Sequence, residues 1–580
     1  MRVEDIFRQQ PPPPESPFLA DPVLPSLLKR ILPDNVFNAV VKPDLTRLGD
    51  DLVNVVRPLT AQVRPATLTN YNGWGERIDH LETSEGWKAL TKLAIQEGYI
   101  STAYDRESFR EHARVYMFAK CMIMTGDFHV IMCPFGMTDG AARLVELFGT
   151  DKMKAEVFPR LISRDPAEAF ISGQWMTESP GGSDVSRTET TATPTPPLPT
   201  DLGPSYLLDG FKWFSSAAEG NLSVALARTG DAASGSRALS LFMVPIRFQP
   251  FPTPLSNNIQ VHRLKDKIGT HGVPTAELSL NSARAWLIGG HNEGIKTITP
   301  MLNITRIHSA IHSIGSLQRC LSIARSYATV RTVAGGKLLQ SIPSHMENLA
   351  NTTILYAALA HLTFGAVILL GKNECGIANK EETARLRLLT PTAKGFAALK
   401  AVTAMEECMT ALGGQGYIEE TGFGRLIRDA LVEKIWEGTV DIMALDLIRA
   451  ARDNLAIQSF CQWALAILSR ASVKSKQILE LQSAIERLPS IFQNSANPLL
   501  PRSLLILFGH IASSVYLLEH AIWAQANGES TAIVDLDRFQ RWVEEGSLKA
   551  ALFAVSEILG AKVQDRVTLN GIHVYSLAKL

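Results

Sequence analysis

A glutamate in an apolar setting, Glu437, is the residue of this sequence best suited to acid–base chemistry. It lies in the run IWEGTVD, beside Trp436 and Gly438 and close to Met443. Burial among such side chains raises the pKa of a carboxyl group and suits it to act as a general base near neutral pH. Acidic residues are also favoured at helix N-termini, where they complete a cap. The sequence therefore leaves two roles open for Glu437, a catalytic base and a helix cap.

A glycine-containing loop, MTESPGGSDV at residues 176–185, follows the first predicted helical region. Its two glycines permit close backbone approach, and Thr177, Ser183 and Asp184 supply polar partners. Such a loop suits a flat polar ring or a pyrophosphate, but a plain turn has the same composition.

A predicted strand, DGFKWFSS at residues 209–216, places aromatic side chains next to hydroxyl groups. Phe214 offers a ring face and Ser216 a hydrogen bond to an aromatic cofactor. A half-buried strand without a ligand remains the alternative, because aromatic residues favour strands.

The elements that position these motifs change in type along the chain. Apolar residues recur at helical spacing over 36–167, whereas LSVALAR (222–228), LSLFMVP (239–245) and TAELSL (275–280) alternate as strands do. Helical periodicity returns over 291–455 and again over 456–580. We therefore predict an α+β multidomain chain: a frayed N-terminal arm (1–35), a helical domain (36–167), a middle β domain (168–290), a four-helix bundle (291–455) and an additional helical region (456–580).

Composition excludes several classes of protein. The 580 residues include 57 basic and 57 acidic side chains, so the whole chain lacks the charge of a nucleic-acid-binding protein. The six cysteines show no zinc-ligand spacing. His308 and His312 lie one helical turn apart but lack a third ligand, so we predict no metal site. The apolar run at 354–370 is predicted to be a buried bundle helix rather than a membrane span.

Five motifs in order resemble the acyl-CoA dehydrogenase superfamily, and most closely its AidB-like branch: MTESPGGSDV, GFKWFSS, RLKDKIGT, LGGQGYIEE and IWEGTVDIMALDLIRA. The resemblance implies the fold of that family, with a helical domain, a β domain and a helix bundle, and an added C-terminal helical region. It also implies an FAD-dependent enzyme that removes an α-proton and a β-hydride from an acyl-CoA thioester.

Carried over by position, the resemblance assigns proton abstraction to Glu437. Arg331 matches an arginine that reaches the FAD of a neighbouring subunit, which implies a homodimer or homotetramer. The remaining residues that the resemblance places against FAD come from three motifs: Met176, Thr177, Ser183, Asp184, Phe214, Ser215, Ser216, Trp436, Gly438 and Thr439.

Departures from the family pattern bear on the substrate. Phe214 replaces a tryptophan, Asn303 an acidic residue and Asp441 a glutamine. We therefore expect a short, branched or modified acyl group. Two alternatives stay open: a flavin monooxygenase of the same fold, and a DNA-associated protective flavoprotein. The twelve basic and eleven acidic residues over 451–580 lack the excess of positive charge that a nucleic-acid partner requires.

The last three residues, Ala578, Lys579 and Leu580, form a small-basic-leucine terminus of the type read by the peroxisomal import receptor. The sequence therefore predicts a peroxisomal location.

Overall fold

The N-terminal region is helical, as expected, but it also contains a β-hairpin. The computed structural model of the protein describes residues 10–248, 253, 255–471 and 474–560, with the backbone of two short strands near the C-terminus. The helices of this region are α1 (Leu24–Ile31), α2 (Asp34–Val36), α3 (Lys42–Asp51), α4 (Arg57–Thr60), α5 (Glu85–Gln96), α6 (Ser101–Tyr104), α7 (Arg106–Phe109), α8 (Ala113–Thr125), α9 (Met132–Phe148), α10 (Asp151–Glu156) and α11 (Phe158–Leu161). Two π-helical turns, Phe37–Val41 and Leu52–Val56, join α2 to α4.

The hairpin consists of β1 (Thr67–Tyr71) and β2 (Arg77–Glu82), paired antiparallel. It docks on the β domain, because the Asp79 carboxylate accepts a 3.0 Å hydrogen bond from the backbone N–H of Val261. Both strands are short and largely solvent-facing, so they lack the apolar alternation that marked the other strands. The helical domain predicted over 36–167 therefore includes a small sheet that the sequence pattern did not indicate.

The middle β domain occupies the predicted part of the chain. Its strands are β3 (Ser172–Trp175), β4 (Thr191–Pro194), β5 (Ser205–Ser216), β6 (Leu222–Arg228), β7 (Leu239–Pro245), β8 (Ile259–Leu264) and β9 (Thr275–Ile288). Strands β6, β7, β9, β5 and β4 are hydrogen-bonded to one another in that order. Pairing of Thr191 in β4 with Arg228 in β6 closes these strands into a ring. The ring encloses an apolar core of its own, separate from that of the helices.

Long helices form the second half of the chain: α12 (Gly294–Ala328), α13 (Pro343–Glu374), α14 (Lys380–Thr410), α15 (Phe423–Leu431) and α16 (Val440–Ala451). Helix α12 packs against α8, α9, α13 and α14, and α14 packs against α16. These helices bury one continuous apolar core with the N-terminal helices. The predicted bundle is confirmed, and it places α12 and α14 on either side of the segment that carries Glu437.

The additional region contains α17 (Asn454–Ser469), α18 (Lys476–Gln493), α19 (Pro501–Ala526), α20 (Ala532–Glu544) and α21 (Leu548–Gly560), then β10 (Thr568–Leu569) and β11 (Ile572–His573). Helix α19 packs against α13, α14 and α16, so this region shares the core of the bundle. Two described helices, α13 and α19, are long and apolar enough to cross a bilayer by length and composition, but 89% and 83% of their most apolar windows are buried inside the protein.

The described part of the N-terminal arm is not frayed, contrary to the prediction. The carbonyl of Pro13 accepts a 2.7 Å hydrogen bond from Ser326, and that of Pro17 a 3.0 Å bond from Gln318. Phe18 is fully buried. Prolines leave carbonyl acceptors available along an extended segment, and polar side chains of α12 bind them.

Candidate active site

The loop after β3 is held by a buried ion pair. Lys212 on β5 donates to the Glu178 carboxylate at 2.6 Å, and both side chains are almost completely buried. Glu178 also accepts from the Thr190 hydroxyl and the Glu189 N–H, each at 2.6 Å. Burial of the pair is offset by these hydrogen bonds, which fix the course of the loop that contains Met176 and Thr177.

The predicted cofactor-facing residues at the ends of β3 and β5 lie side by side. The backbone N–H of Trp213 donates to the Thr177 carbonyl at 2.9 Å, and the Trp175 indole donates to the Ser216 carbonyl at 3.1 Å. Met176 is partly buried against the helical core. The structure therefore brings together the two motifs, whose contacting residues Thr177 and Trp213 lie 36 positions apart in the sequence.

The end of β5 exposes aromatic rings, although the β domain around it is tightly packed. Trp213 and Phe214 are 38% and 48% exposed, and the Lys265 ammonium lies 3.4 Å and 4.7 Å from their ring centroids. A bulge between Lys212 and Ser215 turns the strand here. Ser215 is fully buried, and its hydroxyl has no hydrogen-bond partner in the described part of the chain.

These features fit the isoalloxazine of FAD. Exposed aromatic faces suit a flat conjugated ring, and an unpartnered buried hydroxyl suits a polar ring edge. Ser216 has a fixed neighbour as well, since its hydroxyl lies 3.0 Å from that of Thr275. The simple-turn and plain-strand alternatives do not explain this combination of exposed rings and an unpaired buried hydroxyl.

Glu437 lies between α15 and α16 and is partly buried. Its carboxylate accepts a hydrogen bond of 2.5 Å from the Thr305 hydroxyl of α12. Its backbone is left-handed, with φ of 56°, and its carbonyl accepts from Arg306 at 3.3 Å. The next carbonyl, of Gly438, accepts from Lys394 of α14 at 2.5 Å. Two bundle helices therefore hold this short segment from opposite sides.

Burial raises the pKa of the Glu437 carboxyl group. The hydrogen bond from Thr305, the positive charges of Arg306 and Lys394, and the nearby Gln174 amide of β3 act in the opposite direction and do not cancel that effect. Burial also lowers the pKa of Lys394 to about 8. A carboxyl group with a raised pKa is a stronger base when ionised than an exposed one.

The helix-cap alternative for Glu437 is wrong. Helix α16 is capped by Thr439, whose hydroxyl accepts from the Ile442 N–H at 3.4 Å. The Glu437 carboxylate instead points to α12 and β3. Gly438 has φ of 101°, and a Cβ there would lie 2.6 Å from the Met443 side chain, so glycine is required where the chain enters α16.

Sequence reasoning missed the side chains that hold Glu437: Gln174, Thr305, Arg306 and Lys394. It also missed Glu433, which accepts from the Trp436 indole at 2.6 Å and the Ser309 hydroxyl at 2.5 Å. Trp436 is thereby fixed next to Glu437. A lysine within the apolar stretch of α14 was the one available signal, because a buried lysine requires a partner.

Three predicted residues lie apart from this cluster. Ser183 and Asp184 are exposed, and Asp184 caps a short turn by accepting from the Ser186 N–H at 3.0 Å. Arg331 follows the far end of α12. At 1.5 Å per residue, the 23 residues from Thr305 to Ala328 span about 35 Å. Arg331 is therefore remote from Glu437 of its own chain.

The histidine pair on α12 has other partners. His308 Nε2 lies 2.8 Å from the Asp139 carboxylate, which also binds Arg114 at 2.7 Å. His312 Nδ1 lies 3.4 Å from Glu433. Both side chains are buried, and each has a carboxylate partner.

Comparison with known proteins decides the family. Family models match residues 18–166 (adaptive response protein AidB, N-terminal domain), 173–283 (acyl-CoA dehydrogenase, middle domain) and 292–451 (acyl-CoA dehydrogenase, C-terminal domain). Acyl-CoA dehydrogenase family member 11 of Caenorhabditis elegans is 37% identical over 491 residues, 83% of this chain and 78% of that protein. The chain belongs to the acyl-CoA dehydrogenase family. The putative acyl-CoA dehydrogenase AidB of Escherichia coli is 30% identical over 448 residues, 76% of this chain and 78% of its own length.

Solved structures agree with this membership. The structure of C. elegans ACDH-11 in complex with C11-CoA matches with a TM-score of 0.86 and 34% sequence identity. The match covers 93% of this chain and 92% of the ACDH-11 chain. The apo form of Bd2924 matches with a TM-score of 0.81 and 38% sequence identity. That match covers 89% of this chain and 100% of the Bd2924 chain. The predicted family, AidB-like branch and fold are confirmed. The chain is an FAD-dependent enzyme of this family.

Proposed function

We propose that Glu437 removes the α-proton of an acyl-CoA thioester. The observation that carries the proposal is the position of its carboxylate, which accepts a hydrogen bond from Thr305 of α12, lies near the Gln174 amide of β3 and has its pKa raised by burial. FAD, when bound, supplies the acceptor for the hydride that leaves the β-carbon. Ser215, Ser216, Thr177 and the aromatic rings of β5 would hold the flavin ring.

Proton removal from an α-carbon also requires a polarised thioester carbonyl. The backbone N–H of Glu437 is suited to this task, because no described residue accepts a hydrogen bond from it. The left-handed conformation of Glu437 and the two anchored carbonyls fix the direction of that N–H. One residue thus supplies both the base and the donor.

Deuterium exchange tests the role of Glu437. Holoenzyme incubated anaerobically with an α-deuterated acyl-CoA in ordinary water should replace deuterium by protium at the α-carbon, and a Glu437→Gln variant with full FAD content should not. Glu544→Gln, which makes the same change at an exposed glutamate of α20, is the matched control and should exchange normally. Exchange that persists in the Gln variant would assign the proton transfer to another group.

The substrate is proposed to carry a short, branched or modified acyl group. The departures at Phe214, Asn303 and Asp441 support this, and Asp441 faces Arg502 of the additional region at 3.3 Å. ACDH-11 has been solved with C11-CoA. A plain C11 thioester is therefore the proper substrate for comparison. If its kcat/KM exceeds the kcat/KM values of short, branched and substituted thioesters, this part of the proposal is contradicted.

We also propose a homodimer or homotetramer in which Arg331 serves the FAD of a neighbouring subunit. Its distance of about 35 Å from Thr305 along α12 supports a role outside its own site. Light scattering should give two or four times the mass of one chain, and Arg331→Ala should lower FAD content without changing the pH dependence of the remaining activity. A monomer with full FAD occupancy would refute this.

A peroxisomal location and recognition by the import receptor remain proposals that rest on Ala578, Lys579 and Leu580, which lie outside the described residues. A fluorescent fusion should enter peroxisomes and should stay outside them when these three residues are removed. We further propose that the enzyme acts in a peroxisomal or specialised-metabolite pathway.

A further inference from the structure

A cavity lies beside α12 and is lined in part by Glu433, the carboxylate that binds the Trp436 indole next to Glu437. Its wall includes the apolar Met132 and Leu426 and the polar side chains His129, His312, Ser316, Arg425, Asp429 and Glu433. Along α12, His312 follows Thr305 by seven residues, a rise of about 10 Å. The cavity is thus about as far from the proposed base as the far end of a medium-length acyl chain would be from its α-carbon.

His312 presents an unpaired nitrogen to this cavity. The side chain is 6% exposed, and its Nε2 has no hydrogen-bond partner among the described residues. Its Nδ1 faces the Glu433 carboxylate at 3.4 Å. A carboxylate next to Nδ1 favours the proton on that nitrogen, which leaves a lone pair on Nε2. The cavity therefore contains a buried acceptor that requires a donor.

Charge in the cavity disfavours an anionic ligand. Arg425 donates to the Gly126 carbonyl at 2.7 Å and pairs with Asp429 at 3.4 Å. Asp429 also accepts from the Thr270 N–H at 2.6 Å. With Glu433 included, two carboxyl groups face one guanidinium group, and His129, whose pKa burial lowers to about 3, adds no positive charge near neutral pH. A ligand carboxylate would be repelled, whereas a neutral hydroxyl group would satisfy His312 without adding charge.

We propose that this cavity is the distal end of the acyl site and binds a hydroxyl group near the end of a medium-length acyl chain, which donates to His312 Nε2. The inference rests on the proposed function, because it assumes that an acyl-CoA thioester reaches Glu437. The Ser316 hydroxyl, on the next turn of α12, lines the same space and can donate to the ligand oxygen.

Binding to catalytically inactive holoenzyme tests the inference without turnover. Glu437→Gln protein loaded with FAD is titrated calorimetrically with a medium-chain acyl-CoA and with the same thioester bearing a terminal hydroxyl. We expect the hydroxylated ligand to bind about tenfold more tightly, and His312→Phe in the same background to abolish this preference. His510→Phe is the matched control, because His510 is also buried with both ring nitrogens unpartnered but packs between Phe396 and Trp542.

The outcomes separate the two proposals. Equal binding of the two thioesters, or a preference that survives His312→Phe, would overturn the hydroxyl site and would mean that solvent satisfies His312. The comparison of the two thioesters does not require a His312 variant. Equal binding would therefore overturn the hydroxyl site even if His312→Phe fails to fold. Failure of the proposed function would appear differently, as the absence of α-proton exchange with every thioester in the unaltered enzyme.

Discussion

Replacing Thr305 by valine should shift the pH dependence of the reaction. The Thr305 hydroxyl donates to the Glu437 carboxylate at 2.5 Å and stabilises its charged form. A hydrogen bond to a charged group contributes about 1.5–3 kcal/mol, so its removal should raise the pKa of Glu437 by about one to two units further. Valine is close to threonine in size but has no hydroxyl group, so the substitution removes the donor with little change in side-chain volume.

The sign of the effect follows from the role of the base. Glu437 must be ionised to accept a proton, so kcat/KM rises with pH through its pKa. In Thr305→Val this acid limb should move to higher pH, and activity on the acid side of the limb should fall about 10- to 100-fold, because each unit of pKa costs tenfold in ionised base. The high-pH plateau should change less.

Stopped-flow measurement of anaerobic flavin reduction across pH provides the assay. Thr305→Ser keeps the donor and should retain the unaltered profile. An acid limb that stays in place in Thr305→Val, or moves to lower pH, would refute the claim that Glu437 is the titrating base and that Thr305 lowers its pKa. A uniform loss at every pH would instead show misplacement of the carboxylate.

Two further predictions concern buried charges. Lys212→Met leaves the Glu178 carboxylate buried without its cation, so the free energy of unfolding in urea should fall by about 3–5 kcal/mol. Adding Glu178→Gln should restore part of that free energy. An unchanged unfolding midpoint in Lys212→Met would contradict the role of the pair. Burial raises the pKa of Glu219 from 4.5 to about 7. Because the folded state then binds the proton more tightly, stability should decline as pH rises from about 4.5 to about 7, and Glu219→Gln should flatten that slope in thermal unfolding; an equal slope in both proteins would exclude Glu219 as its source.

Strong periodicity made most of the fold predictable. Strands β6 and β7 begin and end where the alternating runs LSVALAR and LSLFMVP do. The run at 354–370 lies within α13. The β1–β2 hairpin was not predictable, because its exposed strands carry no apolar pattern. The N-terminal arm was mispredicted, because its order comes from hydrogen bonds to α12, a partner some 300 residues away in the chain.

Only part of the site could be predicted from the sequence, for a similar reason. The motif around Glu437 indicated a base, but nothing local indicated Thr305, and a lysine in an apolar helix does not show which partner Lys394 binds. Helical periodicity identifies which face of α12 or α14 is buried, not which turn of that face meets the segment between α15 and α16. His312 shows the same limit: a histidine in an apolar helix gives no sign that one of its nitrogens faces a carboxylate and the other a cavity.

The most direct test of the account is anaerobic bleaching of the flavin by a panel of acyl-CoA thioesters, in the unaltered enzyme and in Glu437→Gln. The account predicts that at least one thioester bleaches the unaltered enzyme and that the variant, with the same FAD content, stays oxidised. A bound flavin that no thioester bleaches would contradict the proposed dehydrogenation and would favour the monooxygenase and DNA-associated alternatives.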